Sequence, residues 1–283
     1  MFKGMVIVIT GGSSGLGKAL AQRFLKRGAN LALIARDTNK LATVKAMLAV
    51  TCGVGQKIEI FPCDVSDYAA TEKTMNNIAT TLGLPDILIN SAGILREGYF
   101  ENLSLTTFRE IMNINYFGVL NCTKVMIPFF KQKGRGRIVN ISSLGGKMAS
   151  FGYSAYCSSK FALVGLTETL RMELKPFGIE VITVQPGGIK SNLSVNADKE
   201  LERFKKTPYG PIQNFIVERA NASQEKATPA DDFAKKLVNK LIEKKTQNFI
   251  RLGKDSSLLP FIAKLPRCLI DALLSKKFGL NRL

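Results

Sequence analysis

Tyr156 and Lys160 stand four residues apart in Tyr156-Cys157-Ser158-Ser159-Lys160. On a helix that spacing puts both Cβ atoms on one face, about 5–6 Å apart, so a phenol and an ammonium could share one pocket. A free phenol ionises near pH ~10, and a neighbouring cation favours phenolate, drawing the tyrosine toward acid/base work near neutrality. Reaching 7 takes about three units, roughly 4 kcal/mol, which is more than an exposed pair supplies; partial desolvation and a positively charged ligand would have to contribute. The spacing alone is unspecific. What lifts it is Ser142-Ser143 upstream, at the end of an apolar run, since the carboxyl ends of parallel strands are where ligands bind.

A second constellation opens the chain. The apolar run Met5–Thr10 leads into Thr10-Gly11-Gly12-Ser13-Ser14-Gly15-Leu16-Gly17, and a helical pattern follows at once. Glycines allow a tight turn and a close approach of backbone to pyrophosphate, whose charge meets the N–H groups and dipole at the helix start. The bland alternative is an ordinary strand-to-helix turn. After the second apolar run the chain reads Leu33-Ile34-Ala35-Arg36-Asp37. With Ala35 at the position where NAD sites carry an acid, Arg36 would meet a 2′-phosphate, with Lys40 as a helper, favouring NADP(H) over NAD(H). A one-residue shift of alignment would instead make Asp37 the ribose ligand. Arg36 as a solvated charge beside an Asp37 helix cap is the third reading.

The elements that must carry these groups alternate along the chain. Strands are expected at Met5–Thr10, Leu31–Ala35, Ile58–Cys63, Ile87–Asn90, Arg137–Ser142, Glu180–Gln185 and Asn248–Leu252. Helices such as Gly17–Arg27, Ser66–Leu82 and Asp231–Lys245 lie between them; the last carries Phe233, Leu237 and Leu241 on one face and lysines on the other. This predicts an α/β, Rossmann-type doubly wound parallel sheet of seven strands with helices on both faces. The expected organisation is one catalytic domain over residues 1–255, interrupted by a polar insert at 189–226, and a basic amphipathic extension at 256–283.

Composition narrows the chemistry. The 283 residues contain no histidine, which excludes Ser-His-Asp and Cys-His nucleophiles and His-ligated metals. A net charge of +18 suits an anionic partner, but the basic residues are dispersed and no groove-reading or aromatic RNA-binding motif accompanies them, so nucleic acid is not expected. Five cysteines without a Cys-x-x-Cys pair read as reduced thiols in a cytoplasmic setting, with no metal site. The first apolar run is too short to span a bilayer, and no signal-peptide cleavage site follows it.

With Asp64-Val65, Asn90-Ser91-Ala92-Gly93, Asn115 and Pro186-Gly187 added in order, the chain from Lys3 to about Asn192 resembles the short-chain dehydrogenases/reductases. The resemblance implies Tyr156 as proton donor to a carbonyl, with Lys160 holding the nicotinamide ribose and depressing the phenol pKa. It also implies Ser143 on the carbonyl oxygen and Asn115 maintaining a water relay. Cofactor contacts implied are Gly11, Ser13, Ser14, Gly15, Leu16 and Gly17 of the turn, Arg36, Asp64 and Val65 at the adenosine end, and Asn90, Ala92 and Gly93 as floor. Pro186, Gly187, Ile189 and Ser191 would border the nicotinamide, Ser191 standing where the family often has Thr. Asn-Ser-Ala-Gly replaces the commoner Asn-Asn-Ala-Gly. A cofactor-binding but inactive relative is the competing reading.

Within the family, Thr10–Lys18 and Arg135–Lys175 look most like 3-ketodihydrosphingosine reductases, while Leu265-Pro266-Arg267 and Lys277-Phe278-Gly279-Leu280 look like fungal 1-acyldihydroxyacetone-phosphate reductases. A lipid-like carbonyl substrate is therefore expected, with hydroxysteroid- or retinol-type substrates as competitors. The insert is the expected substrate lid, lined by Phe204, Tyr209, Ile212, Phe215 and Ile216, with Tyr99, Phe100, Met148 and Phe151 extending the lining. The extension carries Leu258, Leu259, Phe261, Ile262, Leu265, Leu269, Ile270, Leu273, Leu274 and Phe278, and its Lys and Arg outnumber its one Asp. It suits either a peripheral membrane contact or docking on its own domain or a sister subunit. Family resemblance implies a homodimer or homotetramer built on the helices around Asn102–Lys131 and Tyr156–Lys175.

Overall fold

In the computed structural model, which describes residues 2–190, 207–212, 214–215, 227–243, 247–254, 256 and 261–283, the apolar runs become strands. These are β1 (Val6–Thr10), β2 (Asn30–Ala35), β3 (Ile58–Pro62), β4 (Ile87–Asn90), β5 (Gly136–Ile141), β6 (Ile179–Pro186) and β7 (Phe249–Leu252). They form one parallel sheet in the order β3-β2-β1-β4-β5-β6-β7. The Rossmann-type doubly wound fold expected from the alternation is the one observed.

Both faces of the sheet are covered, which is why β1 is apolar at every position but its last. Ile7 and Ile9 join Phe24, Leu33, Phe233 and Leu237 in one core; Val6 and Val8 join Ile34, Met75, Met126 and Phe130 in the other. The first core lies under α1 (Gly15–Leu25), α2 (Thr38–Ala49) and α7 (Ala230–Lys240). The second lies under α3 (Tyr68–Leu82) and α5 (Gly118–Lys133). Arg23 of α1 forms an ion pair with Asp231 of α7, and Arg27 donates to Asn239 Oδ1 at 2.7 Å. The helix expected at 231–245 ends at Lys240, and 244–246 lie outside the described residues.

Strand order reverses at the seam between β1 and β4, opening a crevice at their carboxyl ends. Parallel register there sets Asn90 of β4 beside Asn140 of β5, and Asn90 Nδ2 donates to Asn140 Oδ1 at 2.8 Å. Asn140 in turn donates to Thr167 of α6 (Ser154–Leu174). Two neighbouring strands and a helix are thereby tied by buried polar side chains.

A short helix, α4 (Leu105–Met112), runs into α5 through a wider π turn at Asn113–Phe117, a feature often found at functional sites. Beyond β7, the last helix, α8 (Arg267–Lys277), is followed by a turn at Gly279. No helix among the described residues is long and apolar enough to cross a membrane.

Candidate active site

The first turn is made by backbone. Gly11 has φ +70°, and a Cβ there would lie 3.0 Å from the Ala92 Cα; at Gly17 it would lie 2.2 Å from the Gly11 carbonyl oxygen. Only hydrogen fits at either place. Gly15 differs: its φ is +48° and the space before it is open, so backbone at the start of α1 is accessible to a ligand. Gly12 N–H donates to the Ile34 carbonyl at 3.1 Å, and Thr10 Oγ1 accepts from Ser91 and Ala92 N–H at 3.0 and 3.1 Å. The ends of β1, β2 and β4 are thus laced together beneath the open turn. That cradle, with uncapped N–H donors at the start of α1, fits a dinucleotide phosphate.

At the end of β2, Asp37 accepts from Lys40 N–H at 3.0 Å and caps α2, and that bond holds its carboxyl below the usual range. Lys40 Nζ pairs with the other oxygen at 3.2 Å, so Lys40 reaches back to Asp37. Arg36 is 60% exposed and stands 3.9 Å from Asp64, whose other oxygen accepts from Ser66 N–H and Oγ. The Val65 carbonyl accepts from Asn121 Nδ2 at 3.0 Å.

The chemical groups meet on the other side of the crevice. Lys160 is buried in α6, and its Nζ donates to the Ile141 carbonyl at the end of β5 at 2.9 Å, 5.8 Å from the centre of the Tyr156 ring. Burial lowers the Lys160 ammonium to about 8. A Cβ at Gly145 would lie 3.4 Å from both the Ser143 Oγ and the Tyr156 ring, so the two side chains meet there, and Ser143 Oγ accepts from Gly145 N–H at 3.0 Å. Asn115, placed by the π turn, donates to Ser159 Oγ at 3.1 Å and to the Ile94 carbonyl at 2.9 Å, while Ile94 N–H returns a bond to its Oδ1 at 2.8 Å. Ser159 closes the loop by donating to the Tyr156 carbonyl at 2.7 Å. A Cβ at Gly93 would lie 3.2 Å from Asn115 Oδ1 and 3.8 Å from Lys160 Nζ, so floor and catalytic groups touch.

One expectation is corrected here. The neighbouring ammonium, with partial desolvation and a positively charged ligand, was expected to draw the phenol toward neutrality; in the protein by itself burial dominates and pushes Tyr156 up to about 12, with the Ser143 hydroxyl acting in the opposite direction. Desolvation penalises phenolate more than the Lys160 ammonium, 5.8 Å from the ring centre, repays. The group held in this pocket is a phenol with its proton in place.

Gly187 follows β6 so closely against the chain after β7 that a Cβ would lie 1.8 Å from the Lys254 carbonyl. Ile189 pairs with Thr228, whose N–H donates to Gly188 O and whose carbonyl accepts from Lys190 N–H. Ser191, Phe204, Ile216, Leu258 and Leu259 lie outside the described residues. Tyr209 stacks on Tyr99 at 4.0 Å, Phe151 lies 5.4 Å from Tyr99, and Ile212 is fully buried. Phe100 does not line this wall; it is 73% exposed, edge-on to Phe108. Sequence reasoning missed Thr10, Asn121, Thr228 and the buried Glu97, which accepts from the Tyr153 hydroxyl at 2.7 Å. Threonine at a strand end carries a detectable signal; the other partners are distant in sequence.

A dinucleotide cradle at the switch point, facing a phenol, a hydroxyl and an ammonium across the crevice, defines an oxidoreductase that uses a nicotinamide cofactor. Residues 5–202 match the model of the short chain dehydrogenase family, and the chain belongs to that family of NAD(P)-dependent enzymes. It is 40% identical over 185 residues to a 3-ketodihydrosphingosine reductase of Bos taurus, covering 65% of this chain and 56% of that protein. It is 38% identical to dehydrogenase/reductase SDR family member 7B of Xenopus tropicalis, over 68% of this chain and 63% of that one. The match thus spans little more than half the length of these relatives. A short-chain dehydrogenase from Streptomyces avermitilis superposes with a TM-score of 0.79 at 26% identity, covering 98% and 97% of the two chains.

Proposed function

We propose that the chain is an NADPH-dependent reductase of a long-chain lipid ketone of the 3-ketodihydrosphingosine class. The observation that carries the reading is the Ser143-Tyr156-Lys160 set at one end of the crevice, with Lys160 buried, Ser143 and Tyr156 half-buried and the phenol protonated. The bovine relative's name supports the substrate class. The aromatic wall of Tyr99, Phe151 and Tyr209 beside the catalytic helix suits an apolar chain.

The Gly11–Gly17 turn, Arg36, Asp64 and the Asn90–Gly93 floor would hold NADPH, which would supply the hydride for the carbonyl carbon. Tyr156 gives its proton to the carbonyl oxygen as charge develops there, a general-acid step worth about 10² to 10⁴ in rate. Ser143 donates to the same oxygen. Lys160 stabilises the tyrosinate left behind, and Asn115, fixed between Ile94 and Ser159, positions the groups that return the proton. The ketone gains one hydride and one proton and leaves as the alcohol.

Asp37 is engaged as a helix cap while Arg36 is exposed beside the turn, which supports the 2′-phosphate reading over ribose binding by Asp37. Exposed Phe161 and Met172, three turns apart on one face of α6, support pairing of two copies through that helix. The test is oxidation of NADPH and of NADH in parallel with 3-ketodihydrosphingosine, acyl-dihydroxyacetone phosphate, a ketosteroid and retinal. Fastest NADPH turnover on the first is expected. Faster turnover on steroid or retinal would reject the substrate, preference for NADH would reject the cofactor, and cofactor binding without turnover would reject the activity.

A further inference from the structure

Helix α8 carries apolar side chains on two faces, and only one is covered. Ile270, Leu274 and Phe278 follow each other at steps of four and point inward: Ile270 and Phe278 are buried. The Phe278 ring lies 6.0 Å from Phe151. Just beyond, Gly279 has φ +68° and sits so near Phe215 that a Cβ would lie 2.6 Å from its ring, and the Arg282 guanidinium stands 5.0 Å over the same ring. The segment is pinned to the substrate side by this face and is not free to turn over.

The adjoining face is left in water. Leu269 and Leu273, one turn apart, are 50% and 53% exposed, and Phe261 and Leu265, before the break at Pro266, are exposed as well. At about 100° per residue, Lys276 falls in the stripe of Leu269 and Leu273, Lys277 falls beside it, and Asp271 falls on the far side. A single exposed leucine signifies little, but a pair one turn apart, bordered by lysines and preceded by two further exposed apolar side chains, is the surface of an interfacial helix.

We infer that this face docks on an anionic lipid bilayer, with the leucines entering the headgroup–acyl boundary and Lys276 and Lys277 reaching lipid phosphates. The charge argues for that occupant: a chain of net charge +18 with lysines around its exposed leucines is drawn to an anionic surface. A second copy of the chain would have to set these lysines against their own counterparts, and protein interfaces are depleted in lysine. Docking stands on this surface alone. Its consequence for turnover rests on the lipid-ketone reading: Phe278 connects α8 to the Phe151–Tyr99–Tyr209 wall, so a docked enzyme presents its substrate side to the bilayer.

The test is flotation of the full chain with phosphatidylcholine vesicles with and without phosphatidylserine. The chain floats with the phosphatidylserine vesicles and is released as salt rises. Leu269→Glu with Leu273→Glu lowers vesicle affinity about tenfold for each leucine, with an unchanged thermal unfolding midpoint. Lys276→Glu with Lys277→Glu abolishes the preference for phosphatidylserine. An intact chain that stays at the bottom of the gradient, or a leucine double variant that floats like its parent, overturns the inference. So does a parent that sediments as a larger species than the leucine variant without vesicles, which would assign the face to a second copy. Flotation without turnover of a lipid ketone would reject the substrate reading and leave docking standing.

Discussion

Between the carboxyl ends of β1, β2 and β4 the site is built by backbone, whereas beyond β5 it is built by side chains from segments far apart in the chain. On the first side, Gly11 and Gly17 pack against main chain with no room for a methyl group, and Thr10 ties two strand ends. On the second, Lys160 hangs from a β5 carbonyl, Glu97 meets Tyr153, and Tyr99 stacks on Tyr209. A phosphate can be held by N–H groups that any sequence with the right glycines supplies. Proton transfer and chain-length selection need particular side chains in a dry place, and burying them costs stability. The difference teaches that the two halves should fail separately.

Tyr156→Phe gives the largest effect: turnover falls by about 10³ or more while NADPH binding, followed by fluorescence titration, stays within about twofold. Equal losses in both would erase the division. Lys160→Met follows, on stability. Its folded pKa of about 8 lies below the unfolded value of 10.5, so below pH 8 the cost of the buried charge is present in full. It is relieved as pH rises from 8 toward 10.5. The variant is therefore about 2 kcal/mol more stable at pH 7 in urea unfolding, after allowance for the lost bond to Ile141, and its advantage shrinks by pH 9.5. A variant less stable than its parent at pH 7 would show that the ammonium supports the fold.

Arg36→Ala acts on the cofactor side only, raising KM for NADPH about tenfold and leaving that for NADH and for the ketone unchanged. Tyr209→Leu gives the smallest effect and acts on the substrate side only: loss of its stack on Tyr99 raises KM for the long-chain ketone about threefold without changing KM for NADPH. Cross-effects in either variant would break the comparison.

The same division decided what could be read from sequence. Strand ends came within a residue or two because apolar runs bounded by glycine or charge are local signals; Ile87–Asn90 coincides with β4. The glycine turn, Tyr156, Lys160 and Ser143 are local motifs too, and the fold brings the three side chains together. Glu97 and Tyr153 are 56 residues apart, and no local pattern announces their pairing. The π turn that places Asn115 adds no signature of composition. The apolar residues of α8 were visible, but which of them are covered depends on Phe151 and Phe215, which arrive from elsewhere. The Tyr156 pKa was legible only in part for a related reason: the cation beside it is in the motif, while the burial that outweighs it comes from the whole fold.

The most direct test of the account is kcat/KM for NADPH oxidation along a series of 3-ketodihydrosphingosine analogues with shortened alkyl chains. The account predicts a fall of about two- to fourfold for each methylene removed over the first several, as buried apolar surface is lost, with kcat for the shortest analogues still dependent on Tyr156. Equal efficiency across the series, or turnover of long-chain ketones that survives Tyr156→Phe, would contradict it.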